Sequence, residues 1–221
     1  MKQTTKIHLI PLIFILSFAP PGSSQPPTRT PTKNQAKVGI TSHIEVLEIK
    51  TPERTVIIHR NPNPLHTIPP PFDKTSRPCP PFCIQPIKAG PGVETIGSLE
   101  MLKYMQMAVG NEHTLIMDTR LEEWYKRETL PLAVSLPTET LVNNFPKIAT
   151  TYLGVQTKDK GWDYTNAKTL VIFCNGYWNP DSYQVIQYLL AQNYPPQKIK
   201  WYRGGMQEWL SLGMSTKTGR R

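Results

Sequence analysis

The sequence predicts an α/β fold: a parallel sheet flanked by helices and preceded by a small β and irregular N-terminal extension. Three observations predict it. From Val93 onward, short apolar runs at 114–117, 133–136, 169–173 and 198–202 alternate with stretches of helical spacing, the pattern of a sheet covered on both faces. Of the 23 prolines, 17 lie before residue 93, so a Pro-rich region stops where that pattern starts. Within the Pro-rich part, Ile44–Ile49 and Val56–Ile58 flank Thr51-Pro52-Glu53-Arg54, the makings of a hairpin.

Taken in order, residues 1–24 read as a secretory signal peptide. Lys2 and Lys6 supply the positive start, Ile7–Ala19 the apolar core, and Gly22 and Ser24 the small residues that flank a cleavage. The apolar core is shorter than the roughly 20 residues a helical span needs, so no stable membrane insertion is expected after cleavage. The mature chain is expected to be exported, periplasmic or secreted, and to start near Gln25. Residues 25–92 form a Pro-rich arm with the hairpin at 43–59; their apolar content is too thin for a core of their own. Residues 93–216 form the main domain, and 217–221 a short basic tail.

The chain of 221 residues has a formal charge of +9, but the excess is local: 11 Lys/Arg against 4 Asp/Glu in 1–92, and 14 against 12 in 93–221. No basic run carries interleaved aromatics, so nucleic-acid binding is not expected.

In the main domain Ser98 reads as an N-cap for a helix that ends at Gly110, and Thr114–Met117 as a buried strand running into Asp118-Thr119-Arg120. Helices are expected at Leu121–Arg127, Thr138–Asn144 and Pro146–Tyr152. The apolar run Val171-Ile172-Phe173 stops at Cys174, and Asn175-Gly176 is a turn signal. Asn179 has the chemistry of an N-cap and Pro180 of a first helical position; Val185, Ile186, Leu189 and Leu190 recur at helical spacing behind them. A cysteine is thus held between a core strand and a helix N-terminus, where backbone N–H groups and the helix dipole favour an anion such as a thiolate. A strand at 198–202, the Gly204-Gly205 turn and a helix at 206–212 complete the domain.

Cys79 and Cys83 lie in the arm. In an exported chain they are expected to pair with each other, leaving Cys174 as the remaining thiol; reduced thiols and a metal completed by outside ligands are the alternatives. No further Cys or His at close spacing completes a four-ligand site, so no metal and no other cofactor is expected.

The stretches LIMDTR at 115–120, PLAVSLP at 131–137, VIFC at 171–174 and WYRGGMQEWLSLG at 201–213, in that order, resemble the rhodanese-like (sulfurtransferase) family over residues 93–216. The arm with CPPFC is similar to the extension of a set of exported, poorly characterised rhodanese-like proteins. The resemblance implies that Cys174 takes a sulfane sulfur from a small donor anion such as thiosulfate or polysulfide. The resulting persulfide passes the sulfur to a thiol or cyanide, or to a redox or sulfur-carrier protein. It further implies that Asn175, Gly176, Tyr177, Trp178, Asn179 and Ser182 form the persulfide-cradling loop and that Asp118 and Arg120 are structural. Arg203, beside the Gly204-Gly205 turn, is either a solvated charge or a cation that steers an anion.

The loop departs from the family pattern. CNGYWNPDS lacks the usual arginine before the helix serine, and resembles a CNGxxCxxS variant in which Asn179 stands in place of a second cysteine. A second class of function, a non-catalytic binding or thiol–disulfide module using Cys79, Cys83 and Cys174, is also compatible with these residues. A cysteine phosphatase is not, because the position six residues after Cys174 holds Pro180 and not the arginine that grips a phosphoryl group.

Overall fold

The computed structural model describes residues 38–77, 84–110 and 112–219. The signal-peptide assignment and the cysteines Cys79 and Cys83 lie outside these residues.

Five parallel strands make the central sheet, in the order β3-β9-β8-β4-β5: β3 Glu94–Ile96, β4 Thr114–Asp118, β5 Val134–Ser135, β8 Thr169–Phe173 and β9 Ile199–Tyr202. The alternation of side chains along a strand divides the core into two. Leu170 and Ile172 of β8 face one layer with Ile199 and Trp201 of β9; there they meet α3 Thr138–Asn143, α4 Phe145–Thr151 and α5 Asp181–Ala191 through Leu141, Phe145, Ile148, Val185, Ile186 and Leu189. Val171 and Phe173 face the other layer with Tyr202. That layer is built by α1 Ser98–Gly110, α2 Glu122–Arg127 and α6 Gly205–Ser211 through Met101, Met105, Tyr125, Met206 and Trp209. Each face is therefore covered, as the near-continuous apolar runs require.

The helix ends explain themselves locally. Asn193 adopts φ 62° just past α5, with Tyr194 N donating to Leu189 O; Gly213 adopts φ 67° just past α6, with Met214 N donating to Trp209 O. Both are left-handed caps that satisfy carbonyls the helix leaves open.

The expected hairpin is present, β1 Leu47–Lys50 paired antiparallel with β2 Thr55–Ile58. Ile49 and Ile58 are buried in the same layer as α1 and α6. The chain after it runs along α6: Asn61 N donates to Gly213 O at 2.7 Å and Arg60 Nε to Leu212 O at 2.7 Å. Phe72 then buries itself beside Trp124.

Three expectations are corrected. Ser98 is the first residue of α1 and does not cap it; its hydroxyl lies 2.6 Å from Glu208 Oε1 and 2.7 Å from Tyr202 Oη, tying α1 to α6 and β9. The helix after Cys174 starts one residue later than expected, with Pro180 rather than Asn179 at its N-cap. A three-residue strand, β3, and a polar hairpin, β6 Gln156–Lys158 with β7 Gly161–Asp163, were not expected.

Candidate active site

The C-terminal ends of β4, β8 and β9 converge with the N-terminus of α5, and Cys174 lies where β8 stops, the position at which open parallel sheets place their ligands. Its backbone is clamped from α6. Cys174 O accepts from Met206 N at 3.1 Å and Asn175 O from Gln207 N at 2.9 Å. Gly205 makes that approach feasible: its φ is +53°, and a Cβ there would fall 2.2 Å from Cys174 O.

The thiol is enclosed, with Cys174 only 1% exposed. Its Sγ lies 3.0 Å from Ser182 Oγ, 3.4 Å from Asn179 O and 3.6 Å from Gly176 O. Two carbonyls thus face the sulfur, a setting for a neutral S–H rather than for the thiolate that a helix N-terminus alone suggests. Burial pushes the thiol pKa up, the hydrogen bonds to Ser182 and Gly176 pull it back, and the charge of Asp181 adds to the rise. Asp181 is itself raised, first by its own burial and also by Asp118, while the Asn179 side chain opposes the shift. Asn179 Oδ1 accepts from Asp181 N at 3.1 Å, so it holds the entry to α5 from one position before the cap.

Asp118 and Arg120 lie beneath the loop, both fully buried. Arg120 Nε and Nη2 grip the Asp118 carboxylate at 2.6–3.1 Å; Nη2 also donates to Glu128 O at 2.6 Å, and Nη1 reaches Asn175 Oδ1 at 3.4 Å. Thr129 Oγ1 donates to Asp118 Oδ2 at 2.7 Å. The pair therefore joins the end of β4, the 128–129 turn and the residue after Cys174.

Tyr177 and Trp178 form the outer wall of the loop, and the arm touches both. Gln85 N donates to Tyr177 O at 2.8 Å, the Arg77 guanidinium sits 4.2 Å from the Trp178 ring centre, and Gln207 Nε2 donates to Phe72 O at 2.8 Å. Arg203 binds the arm: its Nε donates to Pro86 O at 2.9 Å, its Nη2 to Gln85 O, and its guanidinium stacks 5.4 Å from the Tyr177 ring centre. A cleft of about 780 Å³ opens between the arm and the loop, lined by Phe72, Lys74, Arg77, Ile84, Trp178 and Gln207 among others.

Sequence reasoning missed Arg77, Gln85, Gln207 and Trp201. Nothing in their local pattern separates them from surface polar residues or a core aromatic; only the tertiary fold brings them to the loop. Trp201 matters most, because its Nε1 donates to Ser182 Oγ at 3.0 Å. Among the described residues no group of three His, Cys, Asp or Glu is placed to hold a metal ion, and no helix is long and apolar enough to cross a membrane.

No curated protein matches the chain. Among solved structures, a protein from Bacillus halodurans is similar at 15% identity and a TM-score of 0.41, over 56% of this chain and 76% of that one. A thiosulfate sulfurtransferase from Pseudomonas aeruginosa is similar at 18% identity and a TM-score of 0.41, over 61% of this chain but 22% of that one. A rhodanese-like domain from an Anabaena species is similar at 16% identity and a TM-score of 0.39, over 57% of this chain and 79% of that one. The family model for the rhodanese-like domain matches residues 101–212, just over half of the sequence, and includes Asp118, Arg120, Cys174, Ser182 and the Gly204-Gly205 turn. The chain belongs to the rhodanese-like domain family, a sulfurtransferase-type family.

Proposed function

We propose that this protein is an exported sulfurtransferase that moves a sulfane sulfur through a persulfide on Cys174. The observation that carries the reading is the placement of Cys174: its sulfur sits at the end of the central strand, 3.0 Å from the Ser182 hydroxyl at the start of α5. The proton leaves to solvent, since the chain has no histidine after His113. His113 itself joins Thr169 at the opposite end of β8. The thiolate then attacks the outer sulfur of a donor such as thiosulfate. A Cys174 S–S bond forms, the donor's S–S bond breaks, and sulfite departs with the electron pair. In the second half-reaction cyanide or a thiolate attacks the outer persulfide sulfur and releases the Cys174 thiolate, which gives ping-pong kinetics.

Two features of the site shape this chemistry. The enclosed sulfur requires the 175–179 loop to part before a donor reaches it. The loop carries no cation of its own, and Arg77 and Arg203 supply positive charge over Trp178 and Tyr177, against which a donor anion arrives. Cyanide-dependent thiocyanate production from thiosulfate or polysulfide tests the proposal: wild-type protein turns over and Cys174→Ser does not. Equal turnover in both would place the chemistry elsewhere.

A second reading, a thiol–disulfide module, is favoured by one observation. Arg77 and Gln85, each two residues along the chain from Cys79 and Cys83 respectively, both contact the Cys174 loop. In that reading an arm thiol resolves the Cys174 persulfide or exchanges disulfides with Cys174. A mixed disulfide between Cys174 and the arm, found by peptide mapping of non-reduced protein, would favour it.

A further inference from the structure

We infer that Trp201 is a positioning residue for the reactive thiol, acting through Ser182. The inference rests on Cys174 being the sulfur-accepting residue. It follows from counting donors and acceptors in a closed, buried chain of hydrogen bonds. The indole Nε1–H of Trp201 donates and cannot accept, and it lies 3.0 Å from Ser182 Oγ. A serine hydroxyl has one hydrogen and two lone pairs, and one lone pair is thereby taken. The other Ser182 contact is Cys174 Sγ at 3.0 Å. Two directions are open for that bond. If the thiol donates to Ser182, the hydroxyl accepts twice and its own hydrogen is left buried with no acceptor, which is costly. If Ser182 donates to the sulfur, the S–H turns to Asn179 O at 3.4 Å and every group is satisfied. The second arrangement is the one a buried site adopts.

The chain therefore runs from Trp201 through Ser182 to Cys174, and each bond polarises the next. Its last hydrogen points at the sulfur whether the thiol is neutral or ionised, so it joins the backbone hydrogen bonds of Gly176 and Ser182 in favouring the thiolate against the features that oppose it. Those features are burial, the carbonyls of Gly176 and Asn179, and the Asp181 carboxylate. The remaining charges around the loop leave the relay untouched: the Asp118–Arg120 pair reaches Asn175, while Arg77 and Arg203 lie outside on Trp178 and Tyr177. Trp201 is 1% exposed and packs in the α5 layer of the core, so its ring is held rigidly enough to aim the hydroxyl.

The test is an ultraviolet titration of the thiolate in the full chain, each protein read against the same protein carrying Cys174→Ser, so that only Cys174 contributes. Ser182→Ala is expected to raise the midpoint by about one pH unit, the scale of a hydrogen bond to a charged group. Trp201→Phe keeps most of the ring volume and removes the donor; it should raise the midpoint by about half a pH unit, the smaller effect of a polarising neighbour. Adding Trp201→Phe to Ser182→Ala should change nothing more, and Ser182→Thr, which keeps the hydroxyl, should hold the wild-type midpoint. An unmoved midpoint in Trp201→Phe, or a full extra rise in the double variant, overturns the inference, since either means that Trp201 acts by packing alone. If Trp201→Phe does not fold, the Trp201 indole N–H resonance reports the same bond. It should move in Ser182→Ala and stay in Ser182→Thr, and a resonance indifferent to both overturns the inference. No sulfur donor enters these titrations, so a failure of sulfur transfer is read separately from a failure of the relay.

Discussion

Replacing Arg120 by Met tests the electrostatic foundation of the loop. Met keeps much of the stem and deletes the guanidinium. Asp118 then retains the Thr129 hydroxyl and the backbone N–H of residue 120, at 2.7 and 3.1 Å, but loses three charged contacts at full burial. Glu128 O loses its 2.6 Å donor as well. Breaking a buried pair from one side typically costs about 3–5 kcal/mol, because a charge is left without compensation. For a folded unit of this size that is a fall of roughly 6–20 °C in Tm, at about 2–4 °C per kcal/mol. Adding Asp118→Asn removes the uncompensated charge, so the double variant should recover about 1–2 kcal/mol relative to Arg120→Met alone. Thermal and urea unfolding followed by circular dichroism measure both. A Tm within about 2 °C of wild type for Arg120→Met, or a double variant whose losses simply add, would refute the reasoning.

Further outcomes follow from particular contacts. Gly205→Ala should lose about 2 kcal/mol or more, because a Cβ would meet Cys174 O at 2.2 Å on a φ of +53°, whereas Gly110→Ala, with nothing within 4 Å, should be neutral or slightly stabilising; urea midpoints compare the two. Because burial raises the Cys174 pKa, the folded thiol keeps its proton where the unfolded thiol has lost it; stability is then flat at neutral pH and falls above the ordinary thiol range. Cys174→Ser should remove part of that alkaline loss, with the tyrosines Tyr125, Tyr164, Tyr194 and Tyr202, also raised by burial, contributing to what remains; equal alkaline slopes in the two proteins would contradict the assignment. In exported protein, thiol counting under denaturing, non-reducing conditions should find one free thiol, at Cys174, and N-terminal sequencing should start near Gln25; three thiols, or a start at Met1, would contradict those two proposals.

Much of the fold was legible because its strands are short apolar runs and its helices carry periodic apolar faces. Thr169–Phe173 reads as a buried strand, and Val185, Ile186 and Leu189 sit on the helix face that covers it. The elements that escaped are those without such a signal. Glu94–Ile96 is three residues long with one buried side chain, and every residue of Gln156–Lys158 is exposed. In the site, the position of Cys174 was legible from the strand that stops at it. Its protonation was not, because which backbone groups face the sulfur depends on the path of the loop, and that path brings the carbonyls of Gly176 and Asn179 inward. Nor was the part played by Trp201: an aromatic in a core strand looks the same in sequence whether or not its N–H finds a serine on the next helix.

The central claim is that Cys174 carries the sulfur. The most direct measurement is the intact mass of the full chain, after incubation with thiosulfate or polysulfide and removal of the donor, followed by peptide mapping. The account predicts a gain of one sulfur atom on Cys174 that cyanide removes, and no gain in Cys174→Ser. A wild-type mass that never changes, or a sulfur gained equally by Cys174→Ser, would contradict it.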